Sequence, residues 1–348
     1  YEMIGSDWSS DVCSSDLAAS AQKKFSVYAV GFYNQENLFD TCHDEGKKDY
    51  EYLPNKGWNG MKYTNKLRNM SKALADMGTD VLPNVGCAFI GLSEVENHKV
   101  LDALVDQAPL KARNMKYVHI EGPDRRGIDC ALLYNPSLFS VKNVKLLPYV
   151  QELAKDSAFF TRGFLTVRGE MAGDDVAVIV CHWPSRFSGP FYRESAARQV
   201  KVIKDSLLNV NQEMKIFVMG DMNDDPVNKS MHVYLQAKPE ISQVGAGDMY
   251  NPWYNVLAKE GKGTLFYSGN WNLFDQIVIT PNLLNKDAKK KDYSSLKYWK
   301  SHIFRRDYLI QQEGQYKGAP LRTTAGGRWL NGYSDHLPVV MYLVKEKK

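Results

Sequence analysis

Short apolar runs, each ending abruptly in a cluster of acids, amides or histidine, recur along this chain. Residues 25–33 alternate, are rich in aromatic and β-branched side chains, and predict a strand. That run ends in Asn34-Gln35-Glu36-Asn37-Leu38-Phe39-Asp40. A polar loop then leads to a predicted helix over 64–77, with Leu67, Met70, Leu74 and Met77 on one face. Ala88-Phe89-Ile90-Gly91-Leu92-Ser93 predicts a second strand, which ends in Glu94-Val95-Glu96-Asn97 and precedes a helix over 99–106. Short strands at 117–120 and 128–134 flank Glu121-Gly122-Pro123-Asp124-Arg125-Arg126-Gly127. Residues 164–168 and 176–181 predict a hairpin whose second strand runs into His182-Trp183-Pro184-Ser185-Arg186. A helix over 194–208 presents Ala196, Val200, Ile203 and Leu207. Residues 216–219 read as a buried strand stopping at Gly220, before Asp221-Met222-Asn223-Asp224-Asp225. Leu273-Phe274-Asp275-Gln276-Ile277-Val278-Ile279 and Ser334-Asp335-His336-Leu337-Pro338-Val339 complete the series.

Strands outnumber helices, and the helices fall between strand groups rather than after each strand. This favours a layered α/β sandwich over a doubly wound parallel sheet. No repeat, low-complexity linker or composition break divides residues 23–348, which are expected to form one domain. At 44% hydrophobic and 24% charged, the 348 residues can bury an ample core, and a net charge of +4 is too mild to mark a nucleic-acid binder by itself. No apolar stretch approaches the ~18 residues of a membrane span. Residues 1–22 stand apart as a non-domain segment. Within them Ala19-Ser20-Ala21 has the small-x-small form of a signal-peptidase site, so an exported protein is expected, with foreign sequence ahead of the remnant leader; a monomer is expected as well. The five cysteines lack zinc-type spacing; Cys130 and Cys181 read as buried thiols, and Cys42 and Cys87, both in loop-like sequence, as a disulfide that export would permit.

Taken singly, each polar cluster has an ordinary reading. Asp221 and Asn223 suit a turn, Asn34 and Glu36 likewise, and Glu94 could open a helix. Asp275 is harder to dismiss, because a carboxylate inside an apolar strand is costly without a partner, and His336 and His182 are available. If the clusters converge, Glu94, Glu36 and Asp335 supply hard oxygen ligands for Mg²⁺, Mn²⁺ or Ca²⁺. Asp221 with Asn223 could then orient a water, and the two histidines could serve a reacting phosphate.

Together and in order, these six motifs resemble the endonuclease/exonuclease/phosphatase superfamily over about residues 25–345. The resemblance implies a four-layer αββα sandwich of two mainly antiparallel or mixed sheets flanked by helices, with one or two Mg²⁺-like ions at one edge. It implies Glu94 as the main metal ligand, with Asn34, Glu36 and Asp335 close by. Asp221 would activate water, Asn223 hold the phosphate, and His336, oriented by Asp275, contact it together with His182. The expected activity is that of a divalent-metal-dependent phosphodiesterase, a nuclease ahead of a sphingomyelinase-like or other phosphoester hydrolase. Nucleic acid is suggested by the run 286–306, with eight Lys or Arg against two acids and aromatics interleaved. Arg126 and Arg186 are candidate phosphate-binding residues, and Trp271 a candidate stacking platform.

Overall fold

The computed structural model describes residues 2–3, 24–152, 159–287 and 289–347. The motif Ala19-Ser20-Ala21 and the segment ahead of it, expected to be foreign, lie outside the described residues, apart from Glu2–Met3, which pairs with Phe25 and Ser26. In chain order the main elements are β1 (Phe25–Leu38), α1 (Gly60–Asp76), β2 (Cys87–Val95), α2 (His98–Val105), β3 (Lys116–His119) and β4 (Asp129–Tyr134). There follow β5 (Phe139–Leu147), β6 (Phe164–Met171), β7 (Asp174–His182), α3 (Pro190–Val210), β8 (Lys215–Asp221), β9 (Asp275–Ile279), β10 (Lys297–Ile303) and β11 (Val339–Glu346).

These strands form two large mixed sheets. One runs β10-β11-β1-β2-β4-β3; the other runs β9-β8-β7-β6-β5 and is extended beyond β9 by two short strands. β1 with β2 and β7 with β8 are parallel pairs inside otherwise mostly antiparallel sheets. A parallel neighbour needs a crossover, and α1 and α3 provide these two. The two-residue side-chain period then sorts the core into three layers. In β1, Val27, Ala29 and Tyr33 face α1 and α2, while Val30 and Phe32 face the second sheet. In β8, Phe217 and Met219 meet that same inter-sheet core, while Ile216 and Val218 face Ala196, Ala197 and Val200 of α3. Strands buried on both faces read as continuous apolar runs, which explains their visibility in the sequence. The result is the expected αββα sandwich.

Several boundaries moved. The α1 helix starts at Gly60, capped by the Asn59 side chain accepting from the Lys62 amide, and α3 starts at Pro190, whose fixed φ suits a first helical position. β8 does not stop at Gly220 but continues through Asp221, since both residues pair with β9. The edge strands β5 and β10 were not anticipated, because their exposed positions carry polar and basic residues that mask the alternation. The expected Cys42–Cys87 disulfide is absent: Cys42 is an exposed free thiol, while Cys87 opens β2, buried, with its Sγ against the Met77 carbonyl.

Candidate active site

All six polar clusters meet at one edge of the sandwich. Strand register does most of this. Asn34 pairs with Ser93, His182 with Asp221, and Asp221 with Asp275, while β11 begins three residues past His336. The backbone is contorted here: Glu36, Asn37, Glu94 and Asn223 all adopt positive φ, at 45°, 58°, 59° and 49°. Non-glycine residues rarely do so, and such strain gathers where surroundings hold a side chain in a particular direction.

Asp221 is the hub. Its Oδ2 accepts from Asn34 Nδ2 at 3.0 Å and its Oδ1 from the Asn223 amide at 2.9 Å. His182 Nε2 stands 3.7 Å from Asp221 Oδ2 and 3.8 Å from Glu94 Oε1, and His336 Nε2 stands 3.8 Å from Asp221 Oδ2. These distances are too long for direct hydrogen bonds and suit an interposed water or phosphate oxygen. Asn223 Nδ2 donates to the Trp183 carbonyl.

The two imidazoles are electrostatically opposite. His336 Nδ1 lies 2.6 Å from Asp275 Oδ2. Burial alone would lower its pKa, but the carboxylates of Asp275, Asp221 and Asp335 push it well above the ordinary histidine value. His182 is driven well below that value by burial and by Arg162 and Arg126, and its buried Nδ1 has no hydrogen-bond partner. One edge thus presents, near a single oxygen of a buried carboxylate, one imidazole pushed toward its charged form and one pushed toward its neutral form. Burial, offset in part by His336 and reinforced by Asp275, raises Asp221 to about 7.

Glu36 and Asp335 share Arg322: Nη2 is 3.0 Å from Asp335 Oδ2, and Nε is 3.5 Å from Glu36 Oε1. The other Glu36 oxygen accepts the Thr323 amide at 2.6 Å, yet burial and Asp335 still lift the acid to about 7. Glu94 Oε2 accepts from the Asn37 amide, and the Asn37 side chain accepts from Arg126. Among the described residues no three His, Cys, Asp or Glu side chains close into a ready metal cage. The donor set nonetheless fits Mg²⁺, which keeps several waters and needs only one or two carboxylates. It offers hard oxygens only, and one of its acids, Glu36, is pushed up by burial.

Arg186 is committed elsewhere. It lies 4.5 Å over the Phe274 ring and bonds Asp225, Asn228, Asn272 and the Asn223 carbonyl. Trp271 packs on Phe266 and lines a separate cavity with Arg305 and Lys317. The basic run is split: Lys297 pairs with Val344 at the end of β11 remote from His336, so Lys289, Lys290 and Lys291 lie away from the cluster. Sequence reasoning missed Arg322, Thr323 and Lys66. The last had a signal, since Lys66 sits four residues before Met70 on the apolar face of α1, where a lysine is out of place. Its fully buried ammonium donates to Thr323 Oγ1 and the Tyr333 carbonyl.

A family model described as the Endonuclease/Exonuclease/phosphatase family matches residues 29–345. Among solved structures, TDP2 from D. rerio complexed with single strand DNA product is 11% identical at TM-score 0.52, covering 91% of this chain and 99% of that one. Mannosyl-6-phosphatase from Bacteroides thetaiotaomicron is 14% identical at TM-score 0.54, with 91% and 99% covered. Truncated TDP2 from Caenorhabditis elegans is 15% identical at TM-score 0.51, with 91% and 97% covered. A comparison with curated proteins finds no match. At such identities the likeness to solved structures establishes the sandwich fold.

Proposed function

This chain belongs to the endonuclease/exonuclease/phosphatase family of phosphoester hydrolases, and on that premise we propose that it hydrolyses its ester by in-line attack of water with a divalent cation, Mg²⁺ or else Mn²⁺ or Ca²⁺. The observation that carries the reading is Asp221 Oδ2 standing 3.7 Å from His182 Nε2 and 3.8 Å from His336 Nε2, the first pushed toward the neutral and the second toward the charged form. Asp221, steadied by Asn34, takes the proton of the attacking water. His336, fixed by Asp275, donates to the phosphate oxygen where charge develops, and His182 and Asn223 line its other side. Glu94, Glu36, Asp335 and Asn34 would hold the cation, which when bound polarises the phosphate and offsets the negative charge gathered there.

A phosphodiester, with nucleic acid foremost, is the first substrate reading. Arg126 reaches the cluster through Asn37, and Arg322 through Asp335, so cations accompany two parts of it. The second reading, a small phosphate ester, is favoured by a cavity of about 850 Å³ that opens beside Asp335 and Arg322. We further take residues 23–348 as one monomeric domain, and export as carried by Ala19-Ser20-Ala21; fractionation of the source cells tests the latter. The function is tested by a panel of duplex DNA, single-stranded DNA, RNA, sphingomyelin and phosphomonoesters with Mg²⁺, Mn²⁺, Ca²⁺ or chelator. Metal-dependent turnover that Asp221→Ala and His336→Ala each abolish is expected. Near wild-type turnover in either variant overturns the assigned roles.

A further inference from the structure

We propose that the guanidinium of Arg322 stands in the place of a second divalent cation, so that the acidic cluster takes one metal ion and not two. The inference rests on the metal-dependent reading above and adds the residue that sets the number of ions.

Geometry comes first. Arg322 spans two of the acids, its Nη2 at 3.0 Å from Asp335 Oδ2 and its Nε at 3.5 Å from Glu36 Oε1. The other Glu36 oxygen accepts the Thr323 amide, so both oxygens of that acid are engaged by the chain itself. The segment carrying the guanidinium is restrained as well. Thr323 Oγ1 accepts from the buried Lys66 and donates to the Tyr333 carbonyl, and the Tyr333 amide donates to the Leu321 carbonyl. A cation on so restrained a segment loses little freedom in bridging two acids. What remains open is Glu94 Oε1 and Asp335 Oδ1. Neither accepts a hydrogen bond from a described residue, the imidazoles of His182 and His336 standing 3.8 Å and 3.9 Å away. Two open carboxylate oxygens, with waters completing the shell, suit one Mg²⁺.

Charge leads to the same number. When ionised, Glu94, Glu36, Asp335, Asp221 and Asp275 carry five negative charges, and Arg322, Lys66 and His336 carry three positive ones. Lys66 belongs in the count: burial lowers its ammonium to about 8 against Glu36, Asp335 and Glu94, which leaves it charged at neutral pH. His336 belongs too, since Asp275, Asp221 and Asp335 outweigh its burial and favour the charged form. Two negative charges are left over, and one divalent ion cancels them. A second ion would leave the cluster positive by two before any substrate arrives, and in a partly buried site like charges a few ångströms apart repel strongly. Without Arg322 three negative charges are left over. The oxygens of Glu36 and Asp335 that it bridges are released together, next to the first ion, as the ligands of paired metals are arranged.

The test counts Mn²⁺ bound by the chelator-stripped full chain in calorimetry and reads the electron paramagnetic resonance spectrum of the loaded protein. The wild type should bind one ion and give an uncoupled spectrum. Arg322→Met and Arg322→Gln should each bind two, with the spectrum of an exchange-coupled pair. Arg322→Lys keeps a positive charge and should stay at one. Two ions in the wild type or in Arg322→Lys, one ion in both neutral variants, or a second ion without coupling would overturn the proposal. Binding of no Mn²⁺ by any form would overturn it together with the metal-dependent reading. Hydrolysis of bis(p-nitrophenyl) phosphate and of the ester panel above is followed in parallel. Turnover by a wild type that binds two ions sinks the proposal alone, whereas the expected counts without hydrolysis of any ester support it and sink the hydrolase reading.

Discussion

His336 Nδ1 and Asp275 Oδ2 are 2.6 Å apart in a site where Asp275 is fully buried and makes no other use of that oxygen. A buried carboxylate of this kind fixes which imidazole nitrogen faces the substrate and keeps the ring charged. Asp275→Asn retains the shape and removes the charge. We expect kcat to fall by about 10²–10⁴-fold, the scale of a misplaced acid–base group. The pH–rate profile should also change: without Asp275 the pKa of His336 drops, so activity that needs the imidazolium is lost at lower pH. A variant with the wild-type profile would contradict the role.

Glu36 gives a stability test. Burial and Asp335 raise it from 4.5 to about 7. The folded carboxyl therefore holds a proton that the unfolded chain releases, and stability is lost as pH rises from about 4.5 to about 7, the loss being complete above that. Glu36→Gln stays neutral throughout. In melts with chelator, the melting temperature of the wild type relative to Glu36→Gln should decline from pH 5 to pH 8, and Mg²⁺ should restore it most at pH 8. A pH-independent difference would show that the acid is not strained in this way.

The sandwich was legible because its central strands are buried on both faces, and the cluster because its acids and histidines interrupt those strands. What stayed hidden depends on long-range packing. Nothing local to Arg322 says that it will lie against Glu36, 286 positions earlier in the chain. Arg186 looked available because its partners Asp225, Asn228 and Asn272 come from two other loops. The run 286–306 looked like one basic surface, yet strand pairing divides it between the two ends of β10. Composition cannot separate these cases; register does.

Thiol reactivity checks the corrected cysteine pairing. Cys42 is exposed, whereas burial raises the Cys87 thiol beyond its ordinary range. An aromatic disulfide reagent should label Cys42 in the native protein and Cys87 only after denaturation. Protection of both until a reductant is added would restore the disulfide.

Lys66→Met should be costly although methionine fits a helix well. The ammonium is fully buried, and its loss leaves the Thr323 hydroxyl without its donor and the Tyr333 carbonyl with only the Thr323 hydroxyl donating to it. An unsatisfied buried group costs about 1–3 kcal/mol. Denaturant titration should show a loss of at least that size, and a change under about 0.5 kcal/mol would mean that water replaces the lysine.

Gly220 immediately precedes the hub acid, and the reason it is glycine is steric. A Cβ there would stand 2.2 Å from the Cys181 carbonyl oxygen and 2.8 Å from its carbon, both backbone atoms of the paired strand β7. Neither can swing aside as a flexible side chain would. Gly220→Ala must therefore part β7 from β8, where His182 and Asp221 are themselves a paired position. Overpacking of this kind costs about 1–3 kcal/mol. Turnover should fall as well, because the same movement separates the imidazole from the carboxylate. Gly60→Ala is the control: at the start of α1 a Cβ meets nothing within 4 Å, so neither stability nor turnover should drop. If Gly220→Ala matched that control, the strands would be looser behind Asp221 than their register implies, and the glycine would serve the turn after all.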